Sequence, residues 1–240
     1  MKILGIIPAR GGSKGIKNKN IRQFAGKPLI AHAIDTASSS RYIQKIIVST
    51  ESEEIAQVAK KYGAEVPFLR PAELAQDKSK VTDAIIHLLN KLKTDFDYIP
   101  DIIVLLQTTS PLRTAEDIDG AIKLMFDRKA DSVVSVCATE QLVFTKDSED
   151  RLKNLITKKE FLRSNNRQEL PRTFKLDGSM VYVVKTNVFL KHKSFLAGKL
   201  VGYEIPRWRS VDLDEPQDFV VGELVFSQFK KLSHKIKRFK

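Results

Sequence analysis

The sequence has a single cysteine, so no disulfide can form within its 240 residues. Cys137 lies in the apolar run SVVSVCA, where a small buried residue is expected rather than a nucleophile. The four histidines never pair at the spacing of metal ligands. These absences argue against a disulfide-stabilised fold, a thiol-dependent enzyme and a zinc site.

Long hydrophobic runs are also missing. No stretch approaches the roughly 18–20 apolar residues that a membrane-spanning helix requires. The N-terminus enters a predicted strand directly, without the basic region, apolar run and cleavage site of a signal peptide. We therefore expect a cytoplasmic protein, and its 42% of hydrophobic residues suffices for one α/β domain with its own core.

Acidic residues are absent before Asp35, whereas seven basic residues precede it. The formal net charge of +12 is compatible with binding to nucleic acid, to an anionic membrane surface or to small anionic ligands. A nucleic-acid surface would interleave aromatic residues with the basic ones for base stacking, yet this first segment contains only Phe24. The charge therefore favours small anionic ligands, with nucleic acid kept as the alternative and no membrane partner expected.

A glycine-rich loop follows the first predicted strand. The segment reads LGIIPARGGSKGIKNKNI and carries Arg10, Lys14, Lys17 and Lys19. Its glycines, at positions 11, 12 and 15, fit neither the Walker pattern G-x-x-x-x-G-K-[ST] nor the dinucleotide pattern G-x-G-x-x-G. Glycine lets backbone N–H groups approach phosphate oxygens, and the cations add charge-assisted hydrogen bonds. The segment therefore predicts a nucleoside triphosphate site at the end of this strand.

Strand-like and helix-like segments alternate over the first 137 residues. This alternation predicts a doubly wound, mostly parallel α/β sheet with ligands beyond the carboxyl ends of its strands. The predicted strands span residues 2–8, 43–50, 65–69, 101–107 and 132–137. One predicted helix ends at Gly63, and another begins at a capping box formed by Thr114 and Asp117.

The alternation stops after Cys137. Residues 138–175 are polar and basic and are too many for a simple loop. The later predicted elements are two strands and an amphipathic helix, at about 179–184, 200–205 and 215–231. We predict a single domain over residues 1–240, with an inserted dimerisation and substrate segment at about 138–177.

Three further segments place polar residues at the same predicted edge of the sheet. They are RPAELAQDKS, LLQTTSPLR and RSVDLDEPQDF. Gln107 ends a buried strand, so its amide needs a partner and suits a sugar hydroxyl. Asp212 and Asp214 would point the same way from an extended strand, with Cα atoms roughly 6.6 Å apart. Such a pair can hold Mg²⁺, whereas the alternative is that the two aspartates cap a helix that begins at Pro216.

These segments, together with PARGGSKGIKNKN, resemble the motifs of the CMP-sialate synthetases and occur in that family's order from residue 3 to residue 219. The resemblance implies transfer of CMP from CTP to a nine-carbon nonulosonic acid, N-acetylneuraminate or a legionaminate-type relative, with release of pyrophosphate. It also implies a nucleotide-diphospho-sugar transferase-like fold, a requirement for Mg²⁺, and a homodimer in which the inserted segment reaches the partner's site.

The resemblance also implies roles for individual residues. Nucleotide binding falls to Arg10, Gly11, Gly12, Ser13, Lys14, Lys19, Asn20, Arg70 and Ser79. Among these, Lys19 and Asn20 would steady the α-phosphate and ribose, whereas Arg70 and Ser79 would lie by the cytosine and ribose. Sugar binding falls to Gln107, Lys146, Arg167, Lys175 and Tyr182. Metal binding falls to Asp212 and Asp214, and catalysis to Arg10, Lys19 and Asp212.

The sequence departs from the family's pattern at three positions. Thr108 stands where proline is usual, Asp177 stands where asparagine is usual, and Tyr182 lies one residue later than the pattern places it. Pseudaminate and the eight-carbon sugar Kdo therefore stay open as alternative substrates, although Kdo synthetases carry a different first loop. The general base stays open between Asp212 and a metal-bound water.

Overall fold

The computed structural model describes residues 1–12, 15–139, 144–146, 148–154, 172–176 and 180–237. The strands within them are β1 (Ile3–Pro8), β2 (Gln23–Phe24), β3 (Lys27–Pro28), β4 (Lys45–Ser49), β5 (Ile102–Leu105), β6 (Ser132–Thr139), β7 (Phe144–Lys146), β8 (Leu152–Asn154), β9 (Thr173–Leu176), β10 (Tyr182–Lys185) and β11 (Leu200–Glu204). The α-helices are α1 (Leu29–Ser38), α2 (Glu53–Lys61), α3 (Val81–Phe96), α4 (Ala115–Asp127), α5 (Thr186–His192), α6 (Pro216–Ser227) and α7 (Phe229–Lys237). Short 3₁₀ turns occupy Lys19–Ile21, Ala72–Ala75 and Arg207–Arg209.

The central sheet has the strand order β11-β6-β10-β5-β1-β4, and β9 pairs with the outer part of β6. β1 runs parallel to β4 and β5, and β11 runs parallel to β6. β10 lies antiparallel between β5 and β6. The predicted mostly parallel sheet is confirmed, and the parallel order brings the carboxyl ends of β1, β4 and β5 to one edge.

Helices cover both faces of this sheet. On one face, strand residues pack against α1, α2 and α4; this cluster includes Ile7, Ile34, Ile55, Ile118 and Val183. On the other face they pack against α3 and α5; this cluster includes Ile6, Leu88, Leu92, Ile103 and Phe189. Burial on both faces explains why the central strands are nearly continuous apolar runs, as expected of a doubly wound sheet.

The capping box predicted at the start of α4 is confirmed. The Thr114 hydroxyl accepts the Asp117 N–H at 3.3 Å, and the Asp117 carboxylate accepts the Thr114 N–H at 2.9 Å. The strand predicted at 65–69 is wrong, because Glu65 makes only an isolated bridge to Ile47. Pro67 has no N–H to donate, so a ladder of hydrogen bonds cannot continue through it.

The C-terminal part of the fold differs from the single amphipathic helix predicted at 215–231. The chain forms two helices there, α6 and α7, which meet at Gln228. The outer side of α6 is also apolar, since Val220, Val221 and Leu224 are exposed. The amphipathic character therefore belongs to α7 rather than to the whole segment. None of the helices in the described ranges has the length and apolarity needed to cross a membrane.

The predicted insertion at 138–177 lies largely outside the described residues. Its described parts are the end of β6, the hairpin of β7 and β8, and β9. Three apolar side chains here are exposed, namely Leu152 on β8 and Phe174 and Leu176 on β9. They leave exposed apolar side chains on the described part of the insertion.

Candidate active site

A cleft of about 570 Å³ opens at the carboxyl ends of β1 and β5. Its walls come from the loop after β1, residues 70–81, the loop after β5, and residues 214–215. The predicted site residues that line it are Arg10, Lys19, Asn20, Arg70, Ser79, Gln107 and Asp214. The structure thus brings residues of all four predicted motifs to one cleft.

Other predicted nucleotide and metal residues lie next to this lining. Gly11 and Gly12 belong to the same loop, and a Cβ added to Gly12 would meet no atom within 4 Å. Asp212 is half-buried two residues before Asp214. Ser13 and Lys14 fall outside the described residues.

Three of the predicted sugar residues, Lys146, Lys175 and Tyr182, do not line the cleft. Lys146, on β7, and Lys175, on β9, are exposed. Tyr182 is 8% exposed, and its ring packs against Phe195 in the core, with 5.8 Å between centroids. Arg167 falls outside the described residues.

Asn20 joins the loop after β1 to the loop after β5. Its side-chain amide donates to the Arg10 carbonyl at 2.8 Å and accepts the Thr108 hydroxyl at 2.6 Å. Asn20 and Thr108 are both buried, so these bonds are shielded from water. Thr108 stands where the family's pattern has proline, and here its hydroxyl fixes the loop by a side-chain bond instead of by a rigid ring.

The loop after β1 also touches the segment that carries the two aspartates. Lys19 Nζ donates to the Leu213 carbonyl at 2.9 Å and to Asp214 Oδ1 at 3.0 Å. A Cβ built on Gly15 would lie 2.5 Å from the Asp214 carbonyl oxygen, a backbone atom that cannot easily move away. Glycine at position 15 therefore permits a close approach that any other residue would prevent.

The Asp212 carboxyl lies in an unfavourable environment for a charge. Burial raises the pKa of Asp212 above its ordinary value, the hydrogen bond from Thr109 opposes that rise, and the nearby charge of Asp214 adds to it. Asp212 Oδ1 is buried and has no hydrogen-bond partner in the described part of the protein. A buried carboxylate oxygen without a partner is costly, so a bound cation would compensate it.

Residues 211–214 do not form the predicted extended strand. The Leu213 N–H donates to the Thr109 carbonyl at 2.9 Å, and the Leu213 side chain is fully buried. Capping of α6 does not use the two aspartates, because the Asp218 carboxylate accepts the N–H groups of Asp214 and Glu215 at 2.9 and 2.7 Å. The helix-cap alternative for Asp212 and Asp214 is therefore wrong.

The donor set suits Mg²⁺. Among the described residues no group of three or more His, Cys, Asp or Glu side chains could hold a metal. Mg²⁺ is usually held by one or two carboxylates together with substrate phosphates and water. One orphaned Asp212 oxygen and the exposed Asp214 carboxylate, at the edge of the cleft, match that pattern.

At the other end of the cleft, Arg70 is held by Glu51, a residue that the sequence analysis missed. Arg70 Nε and Nη2 donate to Glu51 Oε2 at 3.2 and 2.9 Å. Glu51 Oε1 accepts the Gly11 N–H at 2.6 Å. Nearby, the Ser79 hydroxyl donates to the Glu73 carbonyl at 2.6 Å. The only sequence signal for Glu51 is an acidic residue that closely follows a strand leading to this edge.

Two arginines, the buried Arg113 and the half-buried Arg209, fix segments that lead to the cleft. Arg113 Nη1 donates to the carbonyls of Gln107 and Met180 at 3.1 and 2.6 Å, and so fixes the backbone at Gln107. Arg209 makes two hydrogen bonds to the Asp117 carboxylate, one of them from Nη2 to Oδ1 at 2.8 Å. Arg209 thereby anchors the segment that leads to Asp212 on the first turn of α4.

Comparisons with known proteins agree with this site. The model of the Cytidylyltransferase family matches residues 4–206. The chain is 38% identical over 226 residues to CMP-N,N'-diacetyllegionaminic acid synthase of Legionella pneumophila, covering 93% of this chain and 95% of that protein. It is 33% identical over 240 residues to N-acylneuraminate cytidylyltransferase of Escherichia coli O18:K1:H7, covering 98% of this chain and 54% of that protein, about half its length.

A solved structure of CMP:2-keto-3-deoxy-manno-octonic acid synthetase complexed with CTP shares the fold. Its TM-score to this chain is 0.69 at 18% identity, with 95% of this chain and 99% of that chain covered. The family match spans most of the sequence, including the first loop, Arg70 and Gln107. The protein therefore belongs to the cytidylyltransferase family.

Proposed function

We propose that this protein transfers CMP from CTP to the anomeric hydroxyl of a nine-carbon 2-keto sugar acid, a nonulosonic acid, and releases pyrophosphate. The observation that carries the proposal is the convergence of four motif segments on one cleft with cations at both of its ends. The names of the relatives support the choice of acceptor, because they specify N,N'-diacetyllegionaminic acid and N-acylneuraminate.

The proposed chemistry is an in-line displacement at the α-phosphate. The sugar hydroxyl loses its proton to a general base, for which Asp212 is a candidate, and its oxygen forms the new bond to phosphorus while the bond to the bridging oxygen of pyrophosphate breaks. Arg10 and the N–H groups of Gly11 and Gly12 would hold the departing phosphates, with Ser13 and Lys14 of the same loop. Most of the catalysis then comes from positioning and neutralising charge.

Lys19 and Asn20 would hold the α-phosphate and ribose. Lys19 Nζ is fixed by the Leu213 carbonyl and Asp214, and Asn20 by Arg10 and Thr108. Both side chains are therefore oriented before a nucleotide enters, which lowers the entropy lost on binding.

Asp212 and Asp214 would hold Mg²⁺ at the phosphate end of the cleft. The ion, when bound, would neutralise charge on the triphosphate. Lys19 lies beside the Asp214 carboxylate, so these two charges partly offset each other without the nucleotide.

In this proposal, the residues that bind the acceptor sugar come from both subunits of a homodimer. Gln107 lines the cleft, and its backbone is fixed by Arg113. Lys146 and Lys175 lie on the described strands of the insertion, whose exposed apolar residues include Phe174 and Leu176. Burial of these residues against a second copy would carry the lysines to the other subunit's cleft, with Arg167 from the same insertion.

The test is pyrophosphate release from CTP against a panel of sugars. The panel contains N,N'-diacetyllegionaminate, N-acetylneuraminate, pseudaminate and Kdo, each with Mg²⁺. We expect turnover with at least one nonulosonic acid and little with Kdo. Absence of pyrophosphate release with every 2-keto sugar acid, from a folded protein that binds CTP, would contradict the proposed reaction.

Replacing Arg10 by alanine should lower kcat/KM for CTP by roughly tenfold to a few hundredfold. The change removes one or two charge-assisted contacts to phosphate, and each decade corresponds to about 1.4 kcal/mol. Arg128→Ala, at an exposed arginine at the end of α4, is the matched control and should leave kcat/KM unchanged. If folded Arg10→Ala protein kept the wild-type kcat/KM for CTP, the loop after β1 would not be part of the nucleotide site.

A further inference from the structure

Glu51 connects the two ends of the nucleotide cleft. One of its carboxylate oxygens accepts the N–H of Gly11 in the phosphate loop at 2.6 Å. The other accepts two N–H groups of Arg70, at 3.2 and 2.9 Å. The side chains of Arg70 and Glu51 are only 5% and 19% exposed, so water screens these bonds weakly.

The backbone around Glu51 is also fixed. Thr50 accepts the Arg70 N–H through its carbonyl at 2.9 Å and the Ser52 N–H through its hydroxyl at 3.1 Å. Ser52 is the N-cap of α2, where its hydroxyl accepts the Ile55 N–H at 3.3 Å. Glu51 thus sits between the end of β4 and the start of α2, with little freedom to move its carboxylate.

This arrangement orients the donors that Arg70 presents to a ligand. A guanidinium has five N–H groups, and Glu51 takes only the Nε–H and one of those on Nη2. Arg70 Nη1 has no hydrogen-bond acceptor among the described residues, and Arg70 lines the cleft. Its remaining N–H groups are therefore available to the base of a nucleotide.

Cytosine and uracil differ in what they offer to such donors. The edge of cytosine that includes O2 and N3 presents two acceptors. Uracil keeps the acceptor at O2 but carries an N–H at position 3, which would face the donors of Arg70. A site built around fixed donors rejects a ligand that leaves them unpaired or repels them.

We propose that Glu51 is a specificity-determining positioning residue, which fixes Arg70 so that the cleft selects cytosine over uracil and holds the base end in register with the phosphate loop. The inference rests on the proposed use of CTP. Glu51 does not touch the reacting atoms, and it acts through Arg70 and Gly11.

The test compares Glu51→Gln with the control Glu53→Gln. Glutamine has nearly the same shape and can still accept the Gly11 N–H, but its amide turns N–H groups towards Arg70 and removes the charge. Glu53 is an exposed acid in the first turn of α2, so its replacement changes the helix charge without touching Arg70. Each variant is assayed for kcat/KM with CTP and UTP, and for the rise in melting temperature that each nucleotide produces without sugar.

We expect Glu51→Gln to lower the CTP to UTP ratio of kcat/KM by about tenfold or more, and to lose most of the melting-temperature difference between the two nucleotides. Glu53→Gln should keep both. A purely structural role would lower the melting temperature of the free protein and leave both ratios unchanged, which would overturn the inference.

Two further measurements keep the outcome decisive. Should Glu51→Gln fail to fold, Glu51→Asp keeps the charge but is one methylene too short to reach both partners, so the same fall in the ratio is expected. The wild-type protein could release no pyrophosphate with any sugar acid and still prefer CTP to UTP in the melting experiment. That result would contradict the proposed reaction but not the role of Glu51.

Discussion

Replacing either Asp212 or Asp214 by asparagine is expected to lower kcat/KM by about 10²–10⁴-fold. The amide keeps the shape of the side chain but removes the charge that draws Mg²⁺ to the cleft, and a catalytic metal supplies several kcal/mol of transition-state stabilisation. Higher Mg²⁺ or Mn²⁺ should partly restore turnover. Asp127→Asn, at an exposed residue paired with Lys123, is the control and should be fully active.

The Asp212→Asn substitution should raise the free energy of unfolding although it lowers activity. Because burial raises the pKa of Asp212 in the folded chain, ionisation weakens the fold as pH rises through that raised pKa. Asparagine carries no such charge, so in urea unfolding Asp212→Asn should gain stability relative to the wild type as the pH rises above the ordinary aspartate pKa of 3.8. Full activity of both Asp212→Asn and Asp214→Asn would contradict the proposed metal site.

Replacing Arg209 by methionine is expected to lower the free energy of unfolding by about 3–5 kcal/mol. The side chains of Arg209 and Asp117 are 12% and 4% exposed, and the change would leave the buried Asp117 carboxylate without its cation, with only the neutral donors of Thr114. Methionine keeps most of the volume of the arginine stem, so loss of packing is small. Urea unfolding at pH 7 measures the effect.

A matched pair on the same helix provides the control. Asp119 is also buried, but its partner Arg41 is 83% exposed, and the Asp119 carboxylate keeps the Ser40 hydroxyl at 2.7 Å without it. Arg41→Met should therefore lose only a small fraction of what Arg209→Met loses. Equal losses for both variants would mean that burial does not decide the strength of these ion pairs.

Local patterns in the sequence predicted most of the fold and part of the site. The strand before the first loop, the capping box at Thr114 and the residue Gln107 at the end of β5 are each specified by neighbours within a few positions. The motif order predicted that the four segments meet, and the cleft shows that they do.

Long-range pairs explain what the sequence did not predict. Glu51 meets Arg70 across 19 positions, and Arg209 meets Asp117 across 92, so no periodicity connects them. The strand assigned to the aspartates was wrong because the N–H of Leu213 bonds to the loop at Thr109 rather than to a neighbouring strand. The position of Tyr182 depends on β10 inserting antiparallel into the sheet, which residue spacing alone does not determine.

The close approach of Gly15 to the Asp214 carbonyl brings two distant parts of the chain together on one side of the cleft. Lys19 bonds to Leu213 and Asp214, so the loop after β1 and the segment at 211–215 are held to each other there. The facing wall, around the turn Ala72–Ala75, is tied to Arg10 through Asp77, an ion pair that is largely open to water. Because exposed ion pairs hold a structure weakly, we expect this side of the cleft to move more readily than the side held by Lys19.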